Sequence, residues 1–363
     1  MNKLLSAVFL VFYFIVPSFT LAGYRFSDFQ GRPPIHTFGG VGKIPTGITP
    51  SQIKKIYHLP ESGGHGTIAI IGAYEDPSIE SDLHDFNRQF NLPECTIQNS
   101  CFEKHKISSG VKFDNDWAME TTLDVEWAHA IAPKAKILLV EATTPSGANF
   151  LKAIQYATSR SDVVSISMSW GGAEFPEETT LDSYFKSQYG AVFFASSGDN
   201  GTGASWPAAS PWVIGVGGTT LSLNHDGSVK KEIAWSGSGG GISIYEKQPQ
   251  YQIDYSITKS NGFRAIPDIA YDADPASGFP IIRGGLWRTV GGTSAGSPQW
   301  AAIATLGKGV ENKNFYTDKA SVNSQLYFTD IISGKNGACG YVCQARKRYD
   351  YVTGLGSPLT VNF

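Results

Sequence analysis

The segment VGGTSAGSPQWAA places Ser294 after the pair Gly291 and Gly292 and before a run of small residues ending in a helical pattern. A helix starting at Ser294 would set backbone N–H groups, with their partial positive charge, beside the hydroxyl. Pro298 is tolerable there within about the first turn, where N–H groups lack intrahelical partners. The serine could serve as a nucleophile for acyl transfer, or merely cap a buried helix. As a nucleophile it needs a base. The chain offers seven histidines, His36, His58, His65, His84, His105, His129 and His225; His65 precedes the first apolar run, where a surface turn is the better reading, and nothing around the helical His129 forms a recognisable motif.

Carboxylates offer another base. In the stretch from Trp117 to Ala130, helical spacing puts Leu123, Trp127 and Ala130 on one face that can pack on a sheet. Glu120 and Asp124 share a neighbouring face, one turn and about 6 Å apart along the axis. If both are solvated, they repel by only a few tenths of a kcal/mol. If they are buried, repulsion favours one proton shared between them, which makes a base of adjustable pKa.

The elements that must position these groups alternate along the chain. Residues 66–73 (GTIAIIGA), 135–141, 163–169, 191–196 and 212–216 are short, nearly unbroken apolar runs of strand length. Helical patterns cover 78–90, 120–131 and 149–160. Apolar strands separated by helices imply an α/β fold with a parallel sheet covered by helices on both faces. Ligands in such sheets bind beyond the carboxyl ends of the strands. Three candidate loops leave strands there: Ser169-Trp170-Gly171-Gly172, Ser197-Gly198-Asp199, and the glycines before Ser294.

At 363 residues the chain can bury a substantial core. With 17% charged residues, a net charge of −3 and no basic block, it offers nothing to nucleic acid or an anionic membrane. Residues 1–22 have Lys3, an apolar run over 4–16 and the ending Thr20-Leu21-Ala22, the outline of a secretory signal peptide. That run is shorter than the roughly 20 residues of a membrane span, so no stable membrane insertion is expected. An exported chain would close its cysteines as two local disulfides, Cys95 with Cys101 and Cys339 with Cys343. Each would contribute about 2 kcal/mol. Residues 23–46, rich in Gly, Pro and aromatics and without a period, read as an extended leader arm. Residues 47–363 then form one domain.

Glu120-x-x-x-Asp124, Ser197-Gly198-Asp199 and Gly292-Thr293-Ser294-x-x-x-Pro298, in that order, resemble the sedolisins, the secreted serine-carboxyl peptidases. The similarity runs from about Ile48 to Val361. It implies a subtilisin-like α/β fold with a single catalytic domain, acting on protein or peptide substrates as a monomer. By the resemblance, Ser294 attacks the carbonyl, Glu120 is the base, Asp124 orients and tunes Glu120, and Asp199 sits in the oxyanion hole. An acid there must be protonated to donate a hydrogen bond to a developing oxyanion, so activity is expected on the acidic side. Ser169, Trp170 and Gly171 resemble the strand that pairs with an extended substrate, with Trp170 expected near the carboxylate pair.

The same resemblance implies a calcium site: the carboxylates of Asp330 and Asp350 with the carbonyls of Ile331, Arg346 and Arg348. Relatives usually carry glycine at the last two positions, and two arginines suit a dication only if their side chains point away. Arg264, Asp268, Asp272 and Asp274 also resemble family sequence, and are assigned to structural pairing and turns. Sedolisins typically carry a long prodomain, whereas only residues 23–47 intervene here. That segment is expected either to be dispensable or to block the cleft as a short inhibitor. A silent peptide-binding module is one alternative. The other is a histidine-dependent subtilase, since His65-Gly66-Thr67 imitates the subtilisin His-Gly-Thr, although His65 precedes the first strand.

Overall fold

The computed structural model describes residues 24–316 and 327–363; the expected signal peptide lies outside the described residues. One strand, β1 (His36–Gly42), belongs to the arm. The central strands are β2 (Thr67–Ala73), β3 (Phe102–Lys106), β4 (Lys136–Ala142), β5 (Val163–Met168), β6 (Val192–Ser196), β7 (Val213–Leu223) and β8 (Val229–Ala234). A small antiparallel pair follows, β9 (Gly241–Lys247) with β10 (Phe263–Ile266). After it come β11 (Ile269–Asp272), β12 (Phe279–Arg283) and β13 (Leu286–Gly291). The helices used below are α1 (Pro50–Ile56), α2 (Ile79–Phe90), α3 (Asn115–Ile131), α4 (Gly147–Thr158), α5 (Gln250–Asp254) and α6 (Thr293–Leu306).

The main sheet runs β11-β7-β6-β5-β2-β4-β3, all parallel, with β8 added antiparallel to β7. Every residue of β2 is buried, as a strand covered on both faces requires. Alternate residues serve opposite cores: Ile68 and Ile70 face one, Ala69 and Ile71 the other. The first core holds Leu123, Trp127 and Ala130 of α3 with Ala295, Trp300 and Ile303 of α6. The second holds Phe150, Leu151 and Ile154 of α4. The single-domain, doubly covered α/β sheet thus matches the expectation, and each expected run falls on an observed strand. β7 is longer than its apolar run because its outer half, where Leu221 still reaches the first core, gains β8 as an antiparallel partner.

Four smaller expectations can be compared directly. Both disulfides are present, Cys95–Cys101 and Cys339–Cys343, with Cα separations of 4.9 and 5.3 Å. Arg264 and Asp268 form a fully buried bidentate pair, with nitrogen–oxygen distances of 2.6 and 2.8 Å. Asp272 and Asp274 accept bonds that fix a turn, from Ser277 Oγ at 2.7 Å and the Ala276 amide at 3.0 Å respectively. The arm, expected to be extended, contains β1, which pairs antiparallel with β13 and sets His36 opposite Gly291.

Candidate active site

The strand ends and two helices converge on Ser294. α3 begins at Asp114, whose side chain accepts the amides of Asp116 and Trp117 at 3.1 Å each, a conventional N-cap. Glu120 and Asp124 follow on the inward side and are both 1% exposed. The bland alternative of two solvated carboxylates is therefore overturned: the sheet and α6 enclose them. Burial raises both carboxyls well above their usual range, and the charge of Asp124 raises Glu120 further. The Ser294 hydroxyl beside Glu120 pulls part of that rise back. Repulsion in a dry site favours one shared proton.

α6 starts one residue earlier than expected, at Thr293, after Gly292 with φ 136°. A Cβ at Gly292 would lie 1.9 Å from the Pro34 carbonyl oxygen, so only glycine admits that approach. Pro298 therefore lies beyond the first turn and cannot donate to the Ser294 carbonyl. Ser169 makes good the loss: its hydroxyl is 3.2 Å from the Ser294 carbonyl oxygen and 2.6 Å from Asp124 Oδ1. One small hydroxyl thus ties β5, α3 and α6 together. Trp170, expected near the carboxylate pair, turns instead into the second core. It donates to the Ile71 carbonyl at 2.9 Å and stacks on Phe150 at 3.8 Å.

Asp199 leaves the carboxyl end of β6. Its Oδ1 accepts both the amide and the hydroxyl of Thr293, each at 2.8 Å, which ties the loop to the start of α6. Burial raises its carboxyl pKa, while His36 and the two Thr293 donors oppose the rise. His36, an arm residue, approaches Asp199 Oδ2 at 3.1 Å and is itself shifted upward by that contact. The arm also supplies Pro34, whose carbonyl accepts the Ser294 hydroxyl at 2.9 Å. Neither oxygen of Glu120 has a close hydrogen-bond partner among the described residues. The serine's proton thus points to the arm rather than to the neighbouring carboxylate.

His65 is placed elsewhere. Its ring bonds the Thr305 carbonyl at 2.6 Å, at the far end of α6 and about 16 Å along the helix from Ser294. His129 is buried against the Pro93 carbonyl. His36 and Pro34 were missed as site residues because the arm has no periodicity and reaches Ser294 only through long-range pairing.

Two pairs among the residues expected to hold calcium meet directly. Asp330 Oδ2 accepts the Arg348 amide at 2.8 Å, and Asp350 Oδ2 the Arg346 amide at 2.9 Å. Asp330 Oδ1 is buried without a partner among the described residues, as an oxygen reserved for a cation would be. The arginine side chains turn aside, Arg346 over the Tyr341 ring at 4.3 Å and Arg348 towards Tyr255 at 5.5 Å. The donor set fits a hard cation.

Comparison with known proteins gives a consistent picture. Residues 95–329 match the model of the subtilase family. Kumamolisin of Bacillus sp. (strain MN-32) is 31% identical over 95% of this chain, which spans 67% of kumamolisin's length. Sedolisin of Pseudomonas sp. (strain 101) is 28% identical over 86% of this chain, which spans 60% of that protein. The solved structure of Pseudomonas sedolisin complexed with pseudo-iodotyrostatin superposes with a TM-score of 0.74 at 28% identity, covering 88% of this chain and 96% of the other.

Proposed function

Since the chain belongs to the subtilase family, in the branch formed by sedolisin and kumamolisin, we propose that it is a secreted serine-carboxyl peptidase acting on proteins or peptides in acid. Ser294 Oγ attacks the peptide carbonyl while Glu120 takes its proton. Asp124, held by Ser169, carries the shared proton and keeps Glu120 oriented. Protonated Asp199 donates to the developing oxyanion. Glu120 then returns its proton to the leaving amine, and water reverses the sequence to release the acid. The observation that carries this reading is the buried pair Glu120 and Asp124 beside a serine hydroxyl that already bonds a peptide carbonyl.

The protonation states set the pH direction. Asp199 must keep its proton, and its raised pKa keeps it protonated above the ordinary carboxyl value of about 4. Turnover should fall as pH climbs through that raised value. Gly171 would pair with substrate backbone, beside Ser169 and Trp170. When bound, calcium would cross-link the C-terminal loop through Asp330, Asp350 and the carbonyls of Ile331, Arg346 and Arg348.

Export is supported by the leader-like residues 1–22 and the two disulfides. No helix among the described residues is long and apolar enough to cross a membrane. A monomer suffices, because every group named comes from one chain. Ser294→Ala and Glu120→Gln, assayed against denatured protein at acidic pH, should each lose turnover by about 10⁴-fold. Unchanged turnover in both would overturn the mechanism.

A further inference from the structure

The arm lies in the cleft as an extended peptide, and its side chains show what the cleft selects. The Arg32 amide donates to the Gly171 carbonyl at 3.0 Å, and the Gly171 amide donates back at 3.2 Å. On the other edge the Gly31 amide donates to the Pro145 carbonyl at 2.8 Å, and the Gly147 amide to the Phe29 carbonyl at 3.3 Å. Residues 29–32 thus form a middle strand between two loops at the carboxyl ends of β4 and β5. That register, two residues on, delivers the Pro34 carbonyl to the Ser294 hydroxyl.

Of residues 29–36, only Phe29 and Gly31 are buried. The Phe29 ring is fully enclosed, with ring centres 4.8 Å from Trp206, 5.8 Å from Phe175 and 6.3 Å from Trp170, all edge-on. At Gly31 a Cβ would lie 2.6 Å from the Phe150 ring and 3.2 Å from Trp170. The pocket therefore takes an aromatic ring and excludes a side chain two residues later. The trough is wider than its occupant: cavities of about 710 and 760 Å³ run along the two sides of the arm.

We propose that the pocket filled by Phe29 is a subsite for peptide ligands. The cleft takes an extended peptide with an aromatic side chain five residues before the carbonyl that meets Ser294, and a glycine-sized residue three before it. The arm is a tethered occupant that such a peptide displaces. That these ligands are substrates rests on the peptidase reading; the binding itself does not. Backbone pairing supplies the register, and the ring supplies the selectivity.

The test uses the full chain carrying Ser294→Ala, so that binding is read without turnover. The probe is a fluorescent synthetic peptide with the sequence of residues 24–37. Loosening the tethered arm, by Phe29→Ala or separately by Gly31→Pro, should tighten probe binding about tenfold or more. The Gly31→Pro change removes the bond to Pro145 and sets a ring against Phe150, which expels the arm while deleting no aromatic side chain of the pocket. Against either loosened chain, a probe with its own Phe29→Ala should bind about tenfold more weakly. Equal affinity of the parent and Phe29→Ala probes overturns the proposal. So does a lack of binding to both loosened chains when their thermal unfolding shows that they are folded.

Discussion

Two buried acid sites lie within this fold and are treated in opposite ways. Asp268 is saturated: Arg264 grips it bidentately, the Gly215 amide donates to Oδ2 at 2.7 Å, and the Tyr316 hydroxyl to Oδ1 at 2.9 Å. Glu120 is equally buried, yet no cation faces it and neither of its oxygens has a close partner among the described residues. A buried charge that is fully paired fixes architecture. A buried carboxyl left short of partners keeps its proton mobile, which is what acid–base chemistry requires. In the first case desolvation is offset on the spot by an ion pair; in the second it is turned into a raised pKa.

Substitutions at the two sites should therefore separate activity from stability. The largest effect expected is at Glu120: Glu120→Gln should abolish turnover by about 10⁴-fold while thermal unfolding moves little, because a neutral amide relieves a buried, underpaired acid. Arg264→Ala should do the reverse. It strands Asp268 and should destabilise the fold by about 3–5 kcal/mol, read by denaturant unfolding, with activity per folded molecule retained. If Glu120→Gln proves as destabilising as Arg264→Ala, the contrast is false.

Intermediate effects sharpen it. Asp124→Asn keeps the Ser169 contact but removes the shared proton's second site, and should cost about 10²-fold in kcat with KM little changed. Stability should also depend on pH in a defined direction. Burial raises Glu246 to about 8 and Glu178 to about 10. A carboxyl whose folded pKa is raised favours the folded state fully below its unfolded value of about 4, and this contribution is lost as pH rises through the folded value. The thermal midpoint should thus be highest in acid and decline through pH 8 towards 10, as scanning calorimetry would read. Smallest, removal of the proposed calcium with a chelator should lower the midpoint by a few degrees, on the order of 1–2 kcal/mol.

How much of this was legible in the sequence follows from where each signal resides. The strands of the parallel sheet and α3 announce themselves, since burial on two faces demands unbroken apolar runs and Leu123, Trp127 and Ala130 recur at helical spacing. The pairing of Glu120 with Asp124 was readable from one turn of separation; its burial was not, because that depends on α6 arriving from 170 residues away. Ser169 as the group that satisfies the Ser294 carbonyl follows from Pro298 lying deeper in α6 than expected. The arm was the least legible part. Phe29, Pro34 and His36 form no local pattern, and only contacts with residues far along the chain, Gly147, Ser294 and Asp199 respectively, give them a place.

The central claim, that carboxyl groups in unlike ionisation states take the place of imidazole, is tested most directly by the pH profile of kcat/KM on a peptide substrate. The account predicts a maximum in the acid range and a decline towards neutrality. It also predicts that Asp199→Asn, whose amide donates at every pH, moves the falling limb upward even as it lowers the maximum. A maximum above neutrality, or a falling limb indifferent to Asp199→Asn, would contradict it.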